Sequence, residues 1–178
     1  NRLSDQVAAY PLALSNEVAA RRLYLAEFGA GGSCHTFGED VGFDLKPRSH
    51  AFAQGSFSVT LDQLIKSGAV PVPDYIKIDV DGFEHKVIEG ARETLANPKV
   101  KEILVELNTH LPEHNAVIER LHALGFTHDA AQAQGALRKS GDFEGVGEFI
   151  FRRGAAGAGQ KVNFDRSFTI VPPREAEG

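Results

Sequence analysis

The chain of 178 residues contains no tryptophan, no methionine and one cysteine, Cys34. A lone cysteine excludes an internal disulfide framework and suits a reducing, cytoplasmic setting. In its Gly-rich surroundings Cys34 reads as a small loop side chain rather than a nucleophile. No apolar run approaches the roughly 18 residues that span a bilayer, and no charged-then-apolar leader opens the chain. Basic residues do not dominate: 19 Lys and Arg against 24 Asp and Glu leave a net charge of −5. With both signs interspersed, neither nucleic acid nor a membrane is an expected partner. The missing methionine and the start at Asn1 create the expectation that the chain begins partway along a longer protein or behind a removed leader.

What is present is an ordinary globular balance, 42% hydrophobic and 24% charged, long enough to bury a core. Residues 7–14 are apolar up to Ser15-Asn16 and read as a strand entering a turn, and residues 22–28 alternate as a half-exposed strand does. Residues 29–55 have no period and read as a long surface loop. Thr60 can cap a short helix carrying Leu61, Leu64 and Ile65, with Gln63 reaching back and Gly68 ending it.

Residues 75–80 read as a strand and 84–96 as a helix with Val87, Ile88, Ala91 and Leu95 inward. A second such pair follows at 100–107 and 113–124. Residues 126–131 and 148–152 read as a closing strand pair. The series predicts an α/β fold with a mostly parallel sheet, right-handed crossovers and an antiparallel C-terminal edge. Residues 1–153 form the expected domain. Residues 154–178 are read as a Gly/Ala linker with one strand at 168–171 and a disordered end. No Gly-rich nucleotide loop joins a strand to a helix, and Gly29 to Gly32 leads into no helical pattern.

The chemistry concentrates in Ile76-Lys77-Ile78-Asp79-Val80-Asp81-Gly82-Phe83-Glu84. Alternation sends Lys77, Asp79 and Asp81 to one face and the apolar residues to the other. Lys77 and Asp79 can partly neutralise each other. Ligands of open α/β sheets bind beyond the carboxyl ends of strands. Asp79, Asp81 and Glu84 sit at one such end, with Glu106, Asn108 and His110 at the next. On neighbouring strands, about 4.8 Å apart, the two sets would open into one cleft. Convergent carboxylates suit general-base work or cation binding.

The ordered set Val59-Thr60-Leu61-Asp62-Gln63-Leu64, Asp74 to Glu84 and Val87-Ile88-Glu89-Gly90-Ala91 resembles the FkbM methyltransferase family. The likeness continues through Ile103-Leu104-Val105-Glu106, Leu124-Gly125-Phe126 and Phe149 to Arg153, and Pro11 to Ser15 resembles the family's A-L-S-D stretch. It implies a class I, Rossmann-like sheet, incomplete at its N-terminus because the family's Gly-rich cofactor loop is missing. It further implies S-adenosylmethionine as cofactor and O-methylation of a small-molecule or glycan hydroxyl. Ala13, Ser15 and Asp79 are the implied cofactor contacts, and Asp79, Asp81, Glu84 and Glu106 the implied catalytic group. Asp81 stands where the family carries Glu.

Two alternatives compete. Asp79-Val80-Asp81-Gly82 resembles the nucleophile motif of magnesium-dependent haloacid-dehalogenase phosphatases, but Phe83 replaces the expected Thr or Val and no later Asp pair follows. A non-catalytic fragment is the other. His110-x-x-Glu113-His114 matches a zinc-peptidase pattern, yet Pro112 belongs in a first helical turn and leaves His110 outside that helix. No metal site is expected.

Overall fold

The computed structural model describes residues 6–27, 29 and 32–154. The expected strand at 168–171 and the tail around it lie outside the described residues.

The first half builds one sheet. Strands β1 (Ala13–Leu14), β2 (Ala19–Leu25), β3 (Thr36–Phe37) and β4 (Phe52–Val59) stand in the order β1-β4-β2-β3. The ladder β2–β4 is antiparallel from Ala19 opposite Ser58 to Leu25 opposite Phe52, and β1 lies parallel to β4. Helix α1 (Leu61–Lys66) follows.

The second half is strand β5 (Tyr75–Ile78), helices α2 (Glu84–Glu89) and α3 (Arg92–Ala96), strand β6 (Glu102–Asn108), helix α4 (Pro112–Ala123), strand β7 (Phe126–His128), helix α5 (Ala130–Ala136) and strand β8 (Val146–Arg153). Its sheet runs β5-β6-β8-β7. Only β5–β6 is parallel, and β8 is antiparallel to both neighbours.

The α/β class and the antiparallel closing pair are therefore as expected, whereas one mostly parallel sheet is not: there are two mixed sheets. The reason lies in residues 52–59. Gln54, Gly55 and Ser56 dilute its apolar pattern, yet its backbone pairs with β2 along its whole length. The loop expected over 29–55 thus holds β3 and the start of β4, and Thr36, buried, fixes the turn after β3 by donating its hydroxyl to the Glu39 and Val41 carbonyls. Of residues 7–14 only Ala13 and Leu14 pair as a strand.

Alternation places Ile103, Val105 and Leu107 of β6 and Phe149 and Phe151 of β8 on the buried face of the second sheet. They share one core with Val87 and Ile88 of α2, Leu95 of α3 and Val117 and Leu121 of α4. At about 25 cal/mol per Å² of apolar area, this burial is the main stabilising term.

The helix expected over 84–96 is broken in two at Gly90–Ala91. Two contacts explain the break. The Ser15 carbonyl packs so closely on Gly90 that a Cβ there would lie 2.0 Å from its oxygen. Asp62 of α1 then caps α3 from outside, accepting from the Glu93 and Thr94 amides at 3.0 and 2.8 Å. Thr60 caps α1 as the pattern predicts, its hydroxyl accepting from the Gln63 amide. Because Gly90 has an ordinary helical φ of −75°, its replacement by alanine tests sterics alone. Gly90→Ala is expected to destabilise the chain by about 1–3 kcal/mol, measured by denaturant unfolding; an unchanged midpoint would show that Ser15 yields freely.

Helix α5 carries no apolar stripe, only Ala133 buried, so periodicity could not reveal it. Asp129 starts it by accepting from the Ala131 and Gln132 amides. At the far end of β8, Arg153 donates to the carbonyls of Val100, Leu124, Leu95 and Asn97, its guanidinium 4.2 Å from the Phe126 ring centroid.

Candidate active site

Strand β5 ends at Ile78, so Asp79 and Asp81 lie just past it, in the turn that leads to α2. That turn is strained. Asp81 takes φ +53° and Gly82 φ +106°. Aspartate tolerates the left-handed region better than most residues, because its short polar side chain bonds locally. At Gly82 nothing larger fits: a Cβ would stand 2.7 Å from the Phe43 carbonyl oxygen.

Glu84 holds the turn. It is 1% exposed. Its carboxylate accepts from the Val80 amide at 3.0 Å and from the Gly82 amide at 3.1 Å. On the opposite side stands His114 of α4, its Nε2 3.2 Å from Glu84 Oε2. A carboxylate buried with this many donors is satisfied, and its oxygens are occupied by the protein itself.

The parallel register sets Ile78 opposite Val105, so one step further brings Asp79 level with Glu106. Glu106 in turn pairs with Glu148 of β8. Cations thread this row of carboxylates. Lys77 lies 3.2 Å from Asp79 and 3.5 Å from Glu148, and Arg138 lies 3.2 Å from Glu106. The partial neutralisation of Asp79 by Lys77 read from the sequence is present. Both partners are about half exposed, however, and such a pair stabilises little.

The half-buried carboxyls behave as a group. Burial raises the Asp81 pKa, and the negative charges of Asp79 and Glu84 push it further. Burial likewise raises that of Glu106; Arg138 opposes it, while Asp79, Glu84 and Asp81 add to it. Each therefore keeps its proton to higher pH than a free carboxyl and is the readier to accept one.

Beside Asp79 opens a cavity of about 370 Å³, walled by Leu14 and Leu61 on one side and by Ile76, Ile78, Val80 and Val87 on the other. Its lining is apolar but for Lys77 and Asp79. Ala13 and Ser15 flank Leu14. Ser15 is buried, its amide donating to the Val59 carbonyl and its hydroxyl to Asn16 Oδ1. The structure thus gathers Asp79, Asp81, Glu84 and Glu106 at one sheet end and brings the end of β1 to the same cavity.

Pattern reading missed several contributors. Cys34, itself at φ +59°, donates a backbone hydrogen bond to Asp81, and His35 lies close enough to favour its charge. Phe43 covers Gly82 and stacks on Phe143, with centroids 4.2 Å apart. Lys86 of α2 is paired to Glu39. Cys34, His35, Glu39 and Phe43 all come from the stretch after β2, whose lack of period carried no hint of its docking. A further contributor, His114, lies in the zinc-peptidase-like pattern. His110 and His114 do not share a site: His110 is exposed beside Gly145, while His114 is buried. Among the described residues no group of three or more His, Cys, Asp or Glu side chains could hold a metal ion. Nor is any described helix long and apolar enough to cross a membrane.

An α/β domain with carboxylates gathered where a parallel strand pair ends, beside an apolar cavity, has the form of a group-transfer enzyme. The model of the methyltransferase FkbM domain matches residues 4–127, and the chain belongs to that family and is a methyltransferase. No curated protein and no solved structure matches it.

Proposed function

We propose that the protein transfers a methyl group from S-adenosylmethionine to a hydroxyl oxygen of a small molecule or glycan, on a Rossmann-like scaffold. The observation that carries the reading is an apolar cavity with a carboxylate in its lining: Asp79 together with Leu14, Ile78 and Val80. The donor set suits this cofactor. Its adenine asks for apolar walls, and its sulfonium is cationic, so a carboxylate is a favourable neighbour. At about 370 Å³ the cavity falls within the usual range of roughly 300–1,000 Å³ for small-molecule sites. Ala13, Ser15 and Asp79 would hold the cofactor, which when bound supplies an electrophilic methyl group.

The chain's own part is orientation and proton transfer. A hydroxyl attacks well only as its proton leaves, and a carboxylate within hydrogen-bond reach supplies the base. Asp79 is the first choice for the group nearest the reacting centre. Asp81 and Glu106, with their raised proton affinity, bind acceptor hydroxyls or take the proton. Glu84 supports them by holding the turn. Holding acceptor and donor in line provides much of the acceleration.

The test is calorimetric titration of S-adenosylmethionine and S-adenosylhomocysteine into the chain, and into a version carrying whatever is encoded upstream of Asn1. Saturable binding to either is expected. Binding to neither would overturn the cofactor assignment.

A further inference from the structure

Among the described residues His114 is the one buried histidine whose ring touches the candidate site. It is 2% exposed. Its Nδ1 accepts the Asn108 amide hydrogen at 2.8 Å, and its Nε2 lies 3.0 Å from the Gly82 carbonyl and 3.2 Å from Glu84 Oε2. Only a protonated Nε2 can donate to those two oxygens, and only an unprotonated Nδ1 can accept from an amide. The surroundings thus specify one tautomer, neutral with its proton on Nε2. Burial disfavours a charged ring, and the hydrogen bond and charge of Glu84 favour one, raising its pKa. A second proton would have to displace the Asn108 amide from Nδ1. From α2, Glu84 and His85 face the ring, and Glu113 does so from α4.

Three elements therefore meet on one imidazole: the end of β6 through Asn108, the turn after β5 through Gly82, and the start of α2 through Glu84. The turn needs such support. A non-glycine residue in the left-handed region, as Asp81 is, costs on the order of 1–3 kcal/mol and persists only where the surroundings over-determine it. Glu84 binds the turn's amides, His114 its carbonyl, and Phe43 blocks it from the far side.

We propose that His114 is a positioning residue: through Glu84 and the Gly82 carbonyl it fixes the Asp79–Phe83 turn and so sets the Asp81 carboxylate at the cleft. The functional weight of this assignment rests on the methyl-transfer reading, but the geometry does not. Asp81 is faced by Asp79 and Glu84, by His35 and by the Cys34 amide. Its proton affinity reports whether it stays in that setting.

Two substitutions separate the two halves of the ring. In His114→Gln the amide N–H replaces Nε2–H and still reaches Gly82 and Glu84. In His114→Asn the side-chain oxygen replaces Nδ1 and still accepts from Asn108, but the turn loses its clamp. The measurement is carboxyl-carbon NMR titration of Asp81 in the parent chain and both variants, together with exchange rates of the Val80 and Gly82 amides. Asp81 is expected to titrate above the ordinary carboxylate value in the parent and in His114→Gln. In His114→Asn it should move toward that ordinary value, with faster amide exchange. An Asp81 titration unmoved in His114→Asn overturns the proposal, even if the protein melts earlier, because a purely structural histidine would do only the latter. Should neither variant fold, the parent chain decides: long-range proton–nitrogen spectra at alkaline pH must show the Nε2–H tautomer, and an Nδ1–H ring would refute the clamp. None of these readouts involves the cofactor, so they fail or succeed apart from the methyl-transfer reading.

Discussion

Glu84→Ala is expected to destabilise the chain by about 3–5 kcal/mol, because two buried amide donors lose their acceptor and a cavity is left. Alanine leaves the Val80 and Gly82 amides without an acceptor and the His114 Nε2 with the Gly82 carbonyl alone. Each buried donor without a partner costs about 1–3 kcal/mol, and a cavity in the 1%-exposed site adds to this. For a domain of this size the melting temperature should fall by roughly 10 °C. Differential scanning calorimetry with denaturant unfolding checks it. A loss near the scatter of surface substitutions, about 0.5 kcal/mol, would mean that Glu84 does not hold the turn.

Asp79→Asn should do the reverse: little to stability and much to turnover. The Asp79 side chain is 44% exposed, and its one ion pair is with a Lys77 more exposed still. Removing that pair changes stability by about 0–1 kcal/mol. Asparagine keeps the size and hydrogen-bonding reach of aspartate but neither its negative charge nor its basicity. If Asp79 stands at the reacting centre, methyl transfer falls by about 100-fold or more. Steady-state transfer assays beside a melting curve separate the two effects. Unchanged turnover would remove Asp79 from the chemistry and shift attention to Asp81 and Glu106.

The contrast between these carboxylates was only half legible in the sequence. Alternation along residues 76–80 and the place of Glu106 were enough to bring Asp79, Asp81, Glu84 and Glu106 to one sheet end, because strand period and parallel pairing are local rules. Their division of labour was not legible. Glu84 is one helical start away from Asp81 in sequence, yet it is sealed by His114, 30 positions on. Nothing in a linear pattern signals a side chain whose partners are backbone amides. The same limit explains the fold. Apolar stripes at 113–124 and the 148–152 run gave α4 and β8 within a residue or two. Strand β4, polar along much of its length, is strand-like only because β2 lies beside it. The break between α2 and α3 depends on a carbonyl from Ser15, 75 residues earlier, pressing on Gly90.

Arg153 gives the domain a mechanical character. Strand β8 is held on both sides, by β6 and β7, and its last residue grips four carbonyls, three from residues 95–100 and one from Leu124. A pull applied along the chain beyond Gly154 loads those ladders in shear, so many hydrogen bonds must yield together rather than one after another. One border of this sheet is β5, which among the described residues pairs on one side only. Force entering there peels. A protease or an unfolding machine that draws on the C-terminal side meets the stiff end of the domain, and the β5 edge gives way first when the load comes from the other direction.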